Sequence, residues 1–104
     1  MNDTCVLDFQ DQKLFRLTTD VVAARVPELR AQLKELLAGG VQVLQLDLEE
    51  VRMVDSAGIG LIISTHNSLK KTGGKLELTG VAPEIGDLFR SMRMHQHFRI
   101  SGVE

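Results

Sequence analysis

One piece of punctuation occurs twice in this chain, and it limits the available folds more than any other feature. Leu29, Leu33, Leu36 and Leu37 follow helical spacing and lead into Gly39-Gly40, after which Val41 to Leu48 reads as a strand. Further on, Leu69-Lys70-Lys71-Thr72 leads into Gly73-Gly74 and then Lys75-Leu76-Glu77-Leu78-Thr79, an alternating strand. A glycine pair suits a helix end because a left-handed C-cap carries no Cβ penalty there. Two helix, glycine pair, strand units in succession imply parallel strands joined by helical crossovers, an α/β layer arrangement. Val41 to Leu48 has apolar residues at odd and even positions. Both of its faces are therefore expected to be covered, as in the central strand of a mixed or parallel sheet.

The rest of the chain fits around those units. Thr4 to Phe9 and Lys13 to Leu17 are short strand-like runs flanking the polar Gln10-Asp11-Gln12, which predicts an N-terminal hairpin. Thr18-Thr19-Asp20 carry the hydroxyls and carboxylate that cap a helix start, and Pro27 places the regular helix near itself. Arg30, Lys34 and Glu35 then face water. Gly80 is expected to turn the chain, Pro83 with Glu84 to open a last helix, and Ile85, Leu88, Phe89 and Met92 to form its core face. Phe98-Arg99-Ile100 predicts a short edge strand. No linker or low-complexity stretch divides the chain, so residues 1–104 are expected to form a single domain, long enough to bury a core unaided.

Charge and composition exclude several function classes. The formal net charge is -2 and the basic residues are interleaved with acids, so no basic face points to direct nucleic-acid binding. Cys5 is the single cysteine, which fits a reducing cytosol and a small buried residue rather than a disulfide or a reactive thiol. Met1-Asn2-Asp3-Thr4 does not read as a signal peptide. No apolar run approaches the roughly 20 residues that span a bilayer. The expectation is a cytoplasmic protein with no membrane insertion.

Chemistry is concentrated in one turn. Asp55-Ser56-Ala57-Gly58-Ile59-Gly60 separates the strand Val41 to Leu48 from a helix carrying Leu61-Ile62-Ile63 and Leu69. Asp55 or Ser56 could cap that helix. Glycine within a helix, however, costs roughly 1 kcal/mol relative to alanine, so something other than helix stability selects Gly58 and Gly60. Catalysis fits poorly. A nucleophile elbow needs glycine two residues before the serine, where Val54 stands, and no P-loop spacing exists. His66 lies ten residues beyond Ser56. That is about 15 Å along a helix, too far to act as its base. His95 and His97 could be a metal pair in a strand but lack a third ligand, so no metal, cofactor or catalytic residue is expected. A nucleotide or other anion held on the helix N-terminus is a further reading. What remains is a serine presented for modification. A phosphoryl group on Ser56 would bring about -1.5 to -2 charges, favoured by the helix N-terminus and opposed by Asp55. It would weaken the docking of an acidic partner.

These residues carry a resemblance. The strand Val41 to Leu48, the apolar Val51 and Val54, the Asp-Ser-x-Gly-Ile-Gly turn, and the helix ending at Gly73-Gly74 before Lys75 to Leu78 resemble the STAS domain of bacterial anti-sigma factor antagonists, from about Leu14 to Ile100. The resemblance implies a STAS-like fold, a small mixed β-sheet backed by helices. It implies that the unphosphorylated protein binds an anti-sigma factor that is also a serine protein kinase and so releases the kinase's target. Phosphorylation of Ser56 ends the binding, and a PP2C-type phosphatase restores it. Asp55 would orient the turn and help position the kinase. Together with Asp55 and Ser56, residues Ala57, Gly58, Ile59 and Gly60 would form the partner-binding surface, the glycines admitting the partner closely. The alternative is a constitutive STAS-like docking subunit of a larger assembly, such as a lipid-transport ATPase. Two stretches depart from the family pattern. Thr18 to Pro27 is longer and carries an extra Val21-Val22, and the tail Met92 to His97 is idiosyncratic, bearing on partner choice or on formation of a homodimer.

Overall fold

The computed structural model describes residues 5–9 and 12–102. In chain order the elements are β1 (Cys5–Phe9), β2 (Gln12–Arg16), α1 (Val26–Ala38), β3 (Val43–Asp47), α2 (Ser56–Lys71), β4 (Lys75–Val81), α3 (Pro83–Ser91), a 3-10 turn (Met94–Gln96) and β5 (Arg99–Gly102). The strands form a single sheet in the order β1-β2-β3-β4-β5. β1 is antiparallel to β2, as the hairpin reading predicts, and β2 to β5 are parallel. Thr4, Gln10 and Asp11 of that predicted hairpin lie outside the described residues.

Strand alternation sorts the sheet into two unlike faces. Phe15, Leu46 and Leu78 stand in register across β2, β3 and β4, and Leu44 pairs with Leu76; all five are fully buried. The helices close over this face, with Leu29, Leu33, Ile62, Leu69, Ile85 and Phe89 in the same core cluster. The opposite face is not covered as expected. In β3, Val43, Gln45 and Asp47 are only half-buried, because all three crossovers bank on one side. Polar cross-strand pairs occupy that face instead: Gln45 Nε2 donates to Glu77 Oε1 at 2.9 Å and Arg16 Nε to Asp47 Oδ2 at 3.1 Å.

Four further expectations change. Thr18-Thr19-Asp20 do not cap α1, which starts at Val26 after a turn over Val22 to Arg25 and has no side-chain cap. The intervening Val21 is buried and pairs with Val54, so the chain has sheet-like business to finish before the helix begins. Gly80 does not turn the chain. It lies within β4 at φ +65°, where the register with β5 shifts between Leu78 and Val81, so it forms an irregularity in a continuing strand. A Cβ there would sit 3.0 Å from Asp47 Oδ1 and from the Glu49 amide. Met92 is 50% exposed, past the end of α3, rather than in the core. His95 lies in the 3-10 turn and His97 caps it, so the pair is not in a strand.

Candidate functional site

Ser56 is the first residue of α2, and the chain around it is a platform of two stitched loops. After β3, Val51 is fully buried and anchors the segment leading to Val54. Val21 runs parallel to Val54, its amide donating to Met53 O at 3.0 Å and its carbonyl accepting from Asp55 N at 3.3 Å. Two carboxylates lock the seam from opposite sides. Asp20 Oδ1 accepts from the amides of Arg52 and Met53 at 2.8 and 3.2 Å. Asp55 Oδ2 accepts from the Ala23 amide at 2.9 Å, while its Oδ1 accepts from the Gly58 amide at 2.9 Å. The long segment from Thr18 to Pro27 is therefore pinned to the turn.

Asp55 is the N-cap of α2, in extended conformation, which is what lets its side chain reach back to Gly58. The Gly58 and Ala23 amides, in that order, hold its carboxyl below the ordinary value of 3.8. Hydrogen bonds to the charged form are the cause. Asp55 is thus an anion committed to the backbone rather than a base for its neighbour. Ser56 is exposed, and its hydroxyl makes no hydrogen bond to another described residue. The nearest His along α2, His66, lies ten residues beyond Ser56, too far to activate its hydroxyl. Among the described residues no cluster of three or more His, Cys, Asp or Glu could hold a metal.

The two glycines of the turn have different reasons. A Cβ on Gly58 would lie 2.0 Å from the Val21 carbonyl oxygen, so Gly58 is required by the chain's own seam. Around a Cβ on Gly60 there is nothing within 4 Å, and Gly60 is exposed. Ile59 is buried and Ala57 half-buried against the core. Of the six turn residues only Ser56 and Gly60 are exposed, with Asp55 and Ala57 half-buried. Two apolar side chains that sequence reasoning missed stand out at the surface: Met53 on the loop, 58% exposed, and Ile63, 37% exposed. Ile63 continues the stripe of Ser56 and Gly60 at helical spacing. Its signal was present in Leu61-Ile62-Ile63, since three consecutive helical residues cannot all face one core.

The STAS domain sequence profile matches residues 6–103. The chain belongs to the STAS domain family. Similar sequences include the anti-sigma-B factor antagonist of Staphylococcus aureus (strain NCTC 8325 / PS 47), 36% identical over 64 residues; the match covers 62% of this chain and spans 59% of that protein's length. Among solved structures, an anti-sigma factor antagonist from Mycobacterium paratuberculosis superposes on this STAS domain with a TM-score of 0.84 at 18% identity, covering 96% of this chain and 85% of the other. The unphosphorylated form of the antagonist SpoIIAA gives 0.75 at 17% identity, covering 97% and 89%. At such identities the structural likeness speaks for the fold of the STAS domain, which is the α/β arrangement with a small mixed sheet described above.

Proposed function

We propose that this STAS domain is an anti-sigma factor antagonist of the partner-switching kind, with Ser56 as its phosphate acceptor. The observation that carries this reading is the position of the Ser56 hydroxyl: exposed, without a hydrogen bond to another described residue, and set on a platform whose backbone is tied by Asp20 and Asp55. The unphosphorylated protein docks on an anti-sigma factor that is a serine kinase, through Ser56, Ala57, Gly60 and the neighbouring Met53 and Ile63. Gly58, Ile59 and Asp55 shape that surface from below. The kinase transfers the γ-phosphoryl group of ATP to Ser56 Oγ, ADP leaving and the hydroxyl proton passing to a base of the kinase. The resulting dianion places about -1.5 to -2 charges beside the exposed apolar patch. The N-terminus of α2 stabilises it while Asp55 opposes it, so the fold stays and the docking surface is lost. A PP2C-type phosphatase reverses the switch. All of this takes place in the cytoplasm, and the protein acts by binding, not by catalysis. The staphylococcal relatives are named as antagonists, and the constitutive docking-subunit reading is not favoured.

The test pairs variants with the cognate anti-sigma factor. Ser56→Ala should retain binding and accept no phosphate, whereas Ser56→Asp should bind at least about tenfold more weakly, the loss expected when a charge enters a desolvated contact. Ile63→Ser should also weaken binding with the fold unchanged. Equal affinities for the Ala and Asp variants, with both folded by circular dichroism, would sink the reading.

A further inference from the structure

Far from Ser56, a cleft of about 500 Å3 opens between the carboxyl-terminal half of α2 and the starting ends of β4 and β5. Its lining includes His66 and Lys70 from α2, Lys75 and Glu77 from β4, and His97 and Arg99 leading into β5. Lys70, Lys75 and Arg99 form no ion pair with a described residue. Glu77, the one carboxylate of the lining, already accepts a hydrogen bond from Gln45. A chain of net charge -2 thus brings three cations with no ion pair among the described residues, two imidazoles and one carboxylate to the lining of one cleft. The His66 ring is wedged 5.1 Å from Phe98 and 6.1 Å from His97, centroid to centroid, and its Nδ1 is buried with no hydrogen-bond partner. Buried polar atoms are rarely left so.

We infer that this cleft is a binding site for a small phosphorylated metabolite carrying two or more negative charges. The volume lies within the range of roughly 300–1,000 Å3 usual for small-molecule pockets. Lys70, Lys75 and Arg99 outnumber Glu77, the one carboxylate of the lining, and such ammonium and guanidinium groups are the donors that phosphate oxygens recognise. The same cations argue against a metal ion. Burial first, then His97 and Lys70, hold the His66 imidazole below its ordinary 6.5 in the free protein. An anion seated among His66, His97, Lys70, Lys75 and Arg99, with Glu77 held by Gln45, would reverse that electrostatic pressure and raise it. The inference is independent of the role proposed for Ser56.

Inorganic pyrophosphate is the probe, titrated into the full chain labelled with nitrogen-15 and followed by NMR. Saturable shifts confined to the Lys75 to Glu77 and Gln96 to Arg99 amides are expected, with the His66 imidazole titrating at higher pH in the complex. The double variant Lys70→Gln, Arg99→Gln should weaken binding at least about tenfold, the effect of losing charge-assisted hydrogen bonds, and Ser56→Ala should not change it. Shifts that grow linearly without saturation, or equal affinity in the double variant, would overturn the site. Equal affinity for succinate would overturn the assignment to phosphate.

Discussion

At its first residue α2 meets a platform in which both oxygens of Asp55 and one of Asp20 are spent on backbone amides. At the far end of its 16 residues the same helix borders a cleft where three cations and an imidazole nitrogen find no partner among the described residues. The first end has its seam carboxylates spent on the backbone, and what it offers outward includes the Ser56 hydroxyl, the exposed Met53 and the charged Arg52. The second is internally incomplete, and its unspent groups are what it offers. Completeness suits the docking surface proposed for Ser56, which would keep its shape while its charge changes. Incompleteness suits a place that waits for a ligand.

The sharpest way to break this contrast is through the turn glycines. Gly58→Ala drives a Cβ into the Val21 carbonyl, and in a packed seam it should cost about 3 kcal/mol or more. Gly60→Ala meets nothing and should leave the protein up to about 1 kcal/mol more stable. Urea unfolding of both variants checks the pair, and similar losses would show that the seam does not hold the platform. A smaller effect is expected from Asp20→Ala, which deprives the Arg52 and Met53 amides of their acceptor and should cost about 1 kcal/mol. Hydrogen exchange at those two amides should rise in the same variant.

The smallest effect belongs to pH. The depressed His66 titration means that the folded state resists a proton the unfolded chain accepts near 6.5. Stability should therefore be whole above that pH and fall as pH drops below 6.5 through the lower folded value. Asp55, also depressed, acts separately and only as pH falls below 3.8. Urea midpoints measured across pH should show both windows, and His66→Gln should flatten the first alone.

Much of this was legible in the residues. The glycine pairs and leucine spacing predict the crossovers, and Asp55-Ser56 predicts a capped helix start. What local pattern could not supply was the seam. Asp20 looks like a helix cap because a short polar side chain after a strand serves equally well for a helix amide or for a loop 32 residues away. Gly58 and Gly60 look alike in sequence, and only the approach of the Val21 backbone separates a glycine required from within from one left open. The uncovered sheet face follows from Gln45 and Asp47, polar residues whose partners, Glu77 and Arg16, are distant in sequence. The cleft needed β5 in place before its cations could be seen to share one lining.

The sequential strand order has a consequence for how the molecule comes into being. Each strand pairs with its predecessor, so a chain emerging from the ribosome adds to one growing edge and never has to thread a strand between two others. The seam of Val21 and Val54 needs nothing beyond α2, whereas the cleft needs β5, the last to arrive. The platform's partners are all present in a nascent chain at a moment when the cleft does not yet exist, and a clip that removes the final strand abolishes the cleft without touching a single bond of the seam.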